Sequence, residues 1–186
     1  YTMDISNLIG IDPTALEPMG FALQSGSWPA NTPASEKAAK LQILVGGSTG
    51  YEFQDSRKSY NSPKRYRWQG QTDANGKELP PFVDIDKDKM TLTIRTGEES
   101  TEKTRSWQLE VVGVLEPDGA KGYWTQSGVV LRIQDMKMLQ KVYNDMTKTK
   151  TEQKSYDQVY VKVDDLKNVT DVETAIHELG FTNTYS

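Results

Sequence analysis

Residues 156–186 read YDQVYVKVDDLKNVTDVETAIHELGFTNTYS, and two periodicities follow one another in them. In 156–163, Val159, Val161 and Val163 point one way while Tyr160 and Lys162 point the other, which is the period of a half-buried strand. After a short polar turn, Val169, Val172, Ile176 and Leu179 recur at helical spacing and form one apolar stripe. Gly180 is free to take the left-handed conformation that ends a helix, and Phe181 is placed to fold back onto the last turn. Residues 181–186 then read as a new extended segment.

The same alternation of types continues upstream. Val129, Leu131 and Ile133 alternate as a strand, and Asp135 is a suitable cap for a helix on which Met136, Leu139, Val142, Tyr143 and Met146 share a face. Residues 147–155 form a polar linker. The second half therefore reads strand, helix, strand, helix, strand, and predicts an α+β fold in which a mixed sheet carries helices on one face.

Farther upstream, Met90, Leu92 and Ile94 alternate with polar residues, and the strand of 107–115 ends apolar on both faces. These two are expected to form a long hairpin. Leu41, Ile43 and Val45 alternate into Gly46 and Gly47. Asp12 followed by Pro13 suits the start of one or two helical turns. Residues 20–33 and 116–127 read as loops, and 51–82 as a polar, irregular or hairpin-bearing insertion with Pro63, Pro80, Pro81 and the turn Asn75-Gly76-Lys77.

Composition narrows the chemistry. With 186 residues the chain suits one substantial domain or two small ones. A net charge of −4 argues against a nucleic-acid partner, which leans on a basic excess. The chain has no cysteine, which removes disulfides and thiolate sites, and His177 is its single histidine. No apolar run approaches the ~20 residues that cross a bilayer. The sequence opens at Tyr1 without a basic leader or apolar signal core and stops soon after a strand-like segment, as expected of an excised piece.

Several constellations carry a functional and a structural reading side by side. Asp84, Asp86 and Asp88 in VDIDKDK resemble the start of a calcium loop, but the central glycine is missing and position twelve is Arg95; an acidic turn before a strand explains them equally. Lys64, Arg65, Tyr66, Arg67 and Trp68 form the one basic and aromatic cluster. Such a surface stacks bases, touches anionic lipid heads or grips cell-wall polymers, and its structural reading is an exposed strand with the aromatics packed inward. His177 reads as a solvent-facing residue favouring a helix C-terminus. Gly46-Gly47 lacks the Gly-Lys-Ser/Thr ending of a phosphate loop, and Ser48 lacks a nucleophile elbow. Trp28, Trp68, Trp107 and Trp124 suit either a sugar platform or core packing. No catalytic, metal or cofactor residue is assigned from these patterns.

Three segments in this order resemble the extracytoplasmic domain of permeases of the MacB/FtsX type, the membrane subunits of certain ATP-driven (ABC) transporters. They are WQLEVVGVLEPDG (107–119), VVLRIQDMKMLQKVY (129–143) and YDQVYVKVDDLKNVTDVETAIHELGF (156–181). LQSGSWP (23–29) and LQILVG (41–46) add weaker support, whereas 60–88 have no counterpart in that pattern. The resemblance implies a Porter-like α+β subdomain from 1–45 and 127–186, with a β-rich insertion at 46–126, in one extracytoplasmic unit spanning 1–186. It implies a place outside the bacterial cell membrane, between the first and second transmembrane helices of a four-helix permease. A cytoplasmic ATPase, a permease homodimer or pair, and an extracytoplasmic adaptor or substrate-binding protein would be its partners, with no cofactor. The expected function is non-enzymatic coupling of ATP-driven motion to export of a peptide, lipoprotein or antibiotic, or to an outside partner. The rival is a secreted or surface-anchored module that binds glycan or protein through Tyr66, Trp68 and their basic neighbours.

Overall fold

The computed structural model describes residues 1–5, 8–97, 101–149, 156 and 159–184. The chain divides into two compact units, Tyr1–Lys150 and Thr151–Ser186. The first is α+β and is built on a six-stranded mixed sheet. Its strands are β1 (Leu8–Ile11), β2 (Leu23–Gly26), β3 (Lys40–Gly46), β4 (Met90–Thr96), β5 (Lys103–Leu115) and β6 (Val129–Arg132). The order is β1-β6-β3-β5-β2, with β4 also paired to β5.

The longest strand organises the sheet. β3 runs parallel to β5 from Lys40 opposite Gln108 to Gly46 opposite Leu115. β4 is antiparallel to the first half of β5, from Met90 opposite Leu109 to Thr96 opposite Lys103, as the hairpin reading expects. β2 is antiparallel to its last residues. The stretch 46–126, expected as a β-rich insertion, thus contributes β4 and β5 to the same sheet as β3. Where Ile43 and Leu44 face Val111 and Gly113, the register slips by one residue. That bulge changes the phase of β5. Trp107, Leu109 and Val111 lie with Val114 in one apolar cluster, whereas Val112 and Leu115 lie in the other. The apolar ending on both faces is explained by this slip.

Each face has its own core. On one, Leu41, Ile43, Val45, Leu92, Trp107, Val129 and Leu131 pack with Leu139 and Val142 of helix α3 (Ile133–Thr147). On the other, Leu44, Leu115 and Val130 pack with Leu16 of α1 (Pro13–Leu16) and Trp124 of α2 (Trp124–Ser127). Asp12 caps α1 as predicted: its carboxylate accepts the Thr14 N–H at 2.9 Å.

Four local readings are corrected. The 20–33 loop contains β2, a strand too short and too interrupted by a register shift to show alternation. The loop 116–127 ends in the single turn α2, with Trp124, Thr125 and Ser127 buried. Ile133 starts α3 rather than ending β6. Asp135 does not cap α3; it is fully buried in the helix's first turn, and Arg132 holds the cap position. Its carboxylate accepts Arg132 Nε at 2.5 Å and the Ala34 N–H at 2.8 Å. Arg132, also buried, donates through Nη1 to the carbonyl oxygens of Ala30 (2.9 Å) and Thr32. Two charges hidden from water therefore tie residues 30–34 to the junction of β6 and α3.

Gly46, the last residue of β3, is a packing device. A Cβ on Gly46 would lie 2.1 Å from the Gln126 carbonyl carbon, and Gly46 N–H donates to the Gly128 carbonyl at 3.0 Å. Gly46→Ala would need backbone movement of 126–128, so it is expected to destabilise the first unit by about 1–3 kcal/mol or more. Chemical denaturation followed by far-UV circular dichroism checks this, and an unchanged midpoint would contradict it.

In the second unit, Asp165 caps a turn at Leu166–Asn168 by accepting the Lys167 N–H at 3.1 Å. Helix α4 (Val169–Glu178) follows, and Gly180 ends it at φ +93°. Phe181 returns its N–H to the Ile176 carbonyl, but its ring is exposed rather than folded onto the last turn. Val169, Val172 and Ile176 are half-buried, and Leu179 is exposed. The strand expected at 156–163 is not formed at 156 or 159–163; 157 and 158 lie outside the described residues. Alternation alone does not make a strand, and Val159 and Val161, expected to face inward, are exposed. Residues 181–184 form no strand either, and 185–186 lie outside the described residues.

Candidate interaction surface

The basic and aromatic cluster starts inside a closed loop, with Lys64 and Arg65, and continues just past its neck with Tyr66, Arg67 and Trp68. Asp55 N–H donates to the Arg65 carbonyl at 2.9 Å, which brings the two ends of an eleven-residue Ω-like segment together. Inside it, turns close from Lys58 to Asp55 and from Ser62 to Ser59, and a tight helical turn spans Pro63–Arg65. Arg65 strengthens the neck, donating through Nε to Gln54 Oε1 at 2.6 Å and through Nη1 to the Lys58 carbonyl at 2.7 Å.

At the base, Arg57 grips the buried Asp55 carboxylate with two bonds, Nε to Oδ1 at 2.8 Å and Nη2 to Oδ2 at 3.0 Å. These guanidinium bonds hold the Asp55 carboxyl down to about 2, from an ordinary 3.8. Because the folded value is the lower one, Asp55 stabilises the loop above about pH 4 and loses that contribution as pH falls towards 2. Asp55→Asn is expected to flatten the fall of the unfolding midpoint across that window. An acid profile identical to the parent's would contradict it.

Cations and rings alternate in space beside this base. Arg57 lies over the Tyr1 ring, with Cζ 5.4 Å from its centroid, and Tyr1 stacks on Phe82 at 4.8 Å. Arg67 covers Phe82, its Cζ 4.2 Å from the ring centroid, and donates to the Pro80 carbonyl at 2.7 Å. Arg65 lies over Tyr60 at 5.8 Å.

The expected exposed strand with inward aromatics is reversed. Residues 66–68 form no strand; Arg65 and Arg67 are the half-buried members, while Tyr66 and Trp68 are exposed at 39% and 56%. The arginines turn inward because carbonyl oxygens and ring faces satisfy them there. Tyr60, which sequence reasoning did not single out, is 76% exposed at the loop tip. Its place beside Asn61 and Ser62 in a turn-forming stretch was the available signal.

The other candidates lie elsewhere. Asp84 accepts the Asp86 N–H at 3.1 Å and Lys87 Nζ at 2.7 Å, while Asp88 accepts the Asp84 N–H at 2.8 Å. Lys87 holds the Asp84 carboxyl below the usual carboxylate range. This acidic turn borders a groove of about 210 Å³ lined by Ile85, Asp86, Asp88, Lys89, Gln108, Leu109 and Val111. Among the described residues no group of His, Cys, Asp and Glu side chains is arranged to hold a metal ion. His177 Nε2 shares a 2.8 Å hydrogen bond with Thr184 Oγ1, which also donates to Glu173. Ser48 Oγ donates to Gln69 Oε1 at 3.0 Å. The four tryptophans form no common platform: Trp107 and Trp124 are buried in different cores, Trp28 packs against the second, and Trp68 is exposed.

Comparison with protein-family models, curated proteins and solved structures gives no match. Among the described residues no helix is long and apolar enough to cross a membrane.

Proposed function

We propose that the chain is a non-catalytic extracytoplasmic domain of a MacB/FtsX-type ABC transporter permease. It would couple ATP-driven motion to export of a peptide, lipoprotein or antibiotic, or to an outside partner. One observation supports this reading above others. Of the segments that carry the resemblance, 23–29, 41–46, 107–119 and 129–143 contribute β2, β3, β5 and β6, which are consecutive neighbours in one sheet, while 156–181 belongs to the second unit. A shared sheet of these strands is what the α+β subdomain of such a permease would require.

A close-packed sheet with α3 on one face transmits displacement as a body. Such a domain would act as a lever on a cytoplasmic ATPase working through a permease homodimer or pair, and would meet an adaptor or substrate-binding protein outside the bacterial cell membrane. The test is the coding sequence on either side of residues 1–186. Apolar stretches of ~20 residues on both sides are the expected result. A cleavable signal together with a wall-anchoring tail would overturn it in favour of a surface-anchored glycan- or protein-binding module. The exposure of Tyr66 and Trp68 is the observation that keeps this second reading in play.

A further inference from the structure

We propose that the loop 56–68 is a docking surface for an anionic phospholipid interface, with Lys58 and Lys64 meeting the phosphates and Tyr60, Tyr66 and Trp68 entering the headgroup layer. The inference stands on charge, exposure and shape, and does not rest on the permease reading.

Charge is segregated here. Arg57, Lys58, Lys64, Arg65 and Arg67 fall within 56–68 with no acidic residue among them, in a chain of net charge −4. Among the described residues, Arg57 alone of the five is ion-paired, to Asp55. Arg65 and Arg67 donate to neutral oxygens, which fix their positions and leave their charge uncompensated. The patch attracts an anion, while the acidic remainder of the chain opposes wrapping by a long nucleic acid.

Shape selects among anions. From Ser56 to Lys64 every residue is exposed except the half-buried Ser62, on a neck closed by the Asp55–Arg65 and Arg65–Gln54 bonds. This is an exposed loop on a fixed base, and Tyr66, just past the neck, donates its hydroxyl to the Tyr60 carbonyl at 3.3 Å. A polysaccharide strand is recognised by rings and hydrogen bonds that enclose it, which an exposed loop does not offer. A lipid interface is a soft medium that closes around such a loop. Tyrosine and tryptophan rings settle at headgroup depth there, and nearby lysines and arginines gain from the anionic surface potential. Tyr60 and Trp68 are more than half exposed beside these cations.

The test is co-sedimentation of the 186-residue chain with vesicles of phosphatidylcholine alone and with added phosphatidylglycerol, at low and high salt. Binding is expected with the anionic vesicles, weakened by salt and nearly absent with phosphatidylcholine. Lys58→Ser and Lys64→Ser should each weaken it about fivefold. Trp68 is the most exposed tryptophan, so its emission should shift to the blue on binding. Trp68→Phe should keep binding and lose the shift, and Trp68→Ala should weaken binding. Circular dichroism of each variant should match the parent, because the replaced side chains are exposed. Absence of binding to anionic vesicles at low salt overturns the proposal. So does binding that the lysine and tryptophan variants leave unchanged, and so does retention on an anionic polysaccharide without vesicle binding.

Discussion

Asp135→Ala is expected to destabilise the first unit by about 3–5 kcal/mol, the cost of leaving a buried charge without its partner. Asp135 is fully buried and Arg132 is 4% exposed, so water cannot take over the missing contact. The substitution removes one acceptor from Arg132 and one from the Ala34 N–H, while the guanidinium stays anchored to the Ala30 and Thr32 carbonyls. Asp135→Asn, which keeps an acceptor for Ala34, should cost less. Replacing both partners at once, as in Arg132→Met with Asp135→Leu, should cost less than Asp135→Ala, because no orphaned charge remains. Urea denaturation followed by tryptophan emission, with the parent and all three variants in one buffer, gives the ranking. A double variant no more stable than Asp135→Ala, or a loss below about 1 kcal/mol in the single, would contradict the account.

Trp107→Ala is expected to cost about 3–5 kcal/mol as well, by the removal of a large buried ring. Trp107 is 2% exposed and sits opposite Leu92 in the β4–β5 ladder. It packs in the cluster that also holds Leu41, Val129 and Leu139. The side chain therefore joins the hairpin to the parallel strand and the helix, and an alanine would leave a cavity bounded by elements distant in sequence. Trp107→Phe should recover much of the loss, since most of the apolar volume returns. The measurement is the shift in denaturation midpoint at constant slope. A Trp107→Ala variant within about 1 kcal/mol of the parent would mean that the core collapses to fill the space.

Much of the sheet was legible because its strands bury alternate residues. Leu41, Ile43 and Val45, and likewise Val129 and Leu131, point where their alternation says. The Asp12 cap was equally local, since the carboxylate answers an N–H two residues away. Legibility failed where the deciding partner is remote. Asp135 has the composition of a cap, yet its partners include Ala34, about a hundred positions upstream. In 64–68 the alternation was real but its phase was reversed, because no sheet told the backbone which side was the interior. Arg65 and Arg67 turned inward to Gln54, Lys58 and Pro80, and their aromatic neighbours turned out. The period-two stretch at 156–163 has the right side chains, yet its described residues are not strand and Val159 and Val161 are exposed.

The sequence by itself determined an α+β chain, the strand faces that would be apolar, the cap of α1, the Gly180 stop and the concentration of positive charge at 64–67. These follow from residues close enough along the chain to act on one another through local geometry. Tertiary structure alone decided that β5 pairs with β3 and β2, that Arg132 and Asp135 would be buried together, and that Tyr60, Tyr66 and Trp68 would face water. Those outcomes depend on which distant group satisfies each backbone amide, charge and ring, and a periodic pattern fixes a direction only after a partner has fixed the inside.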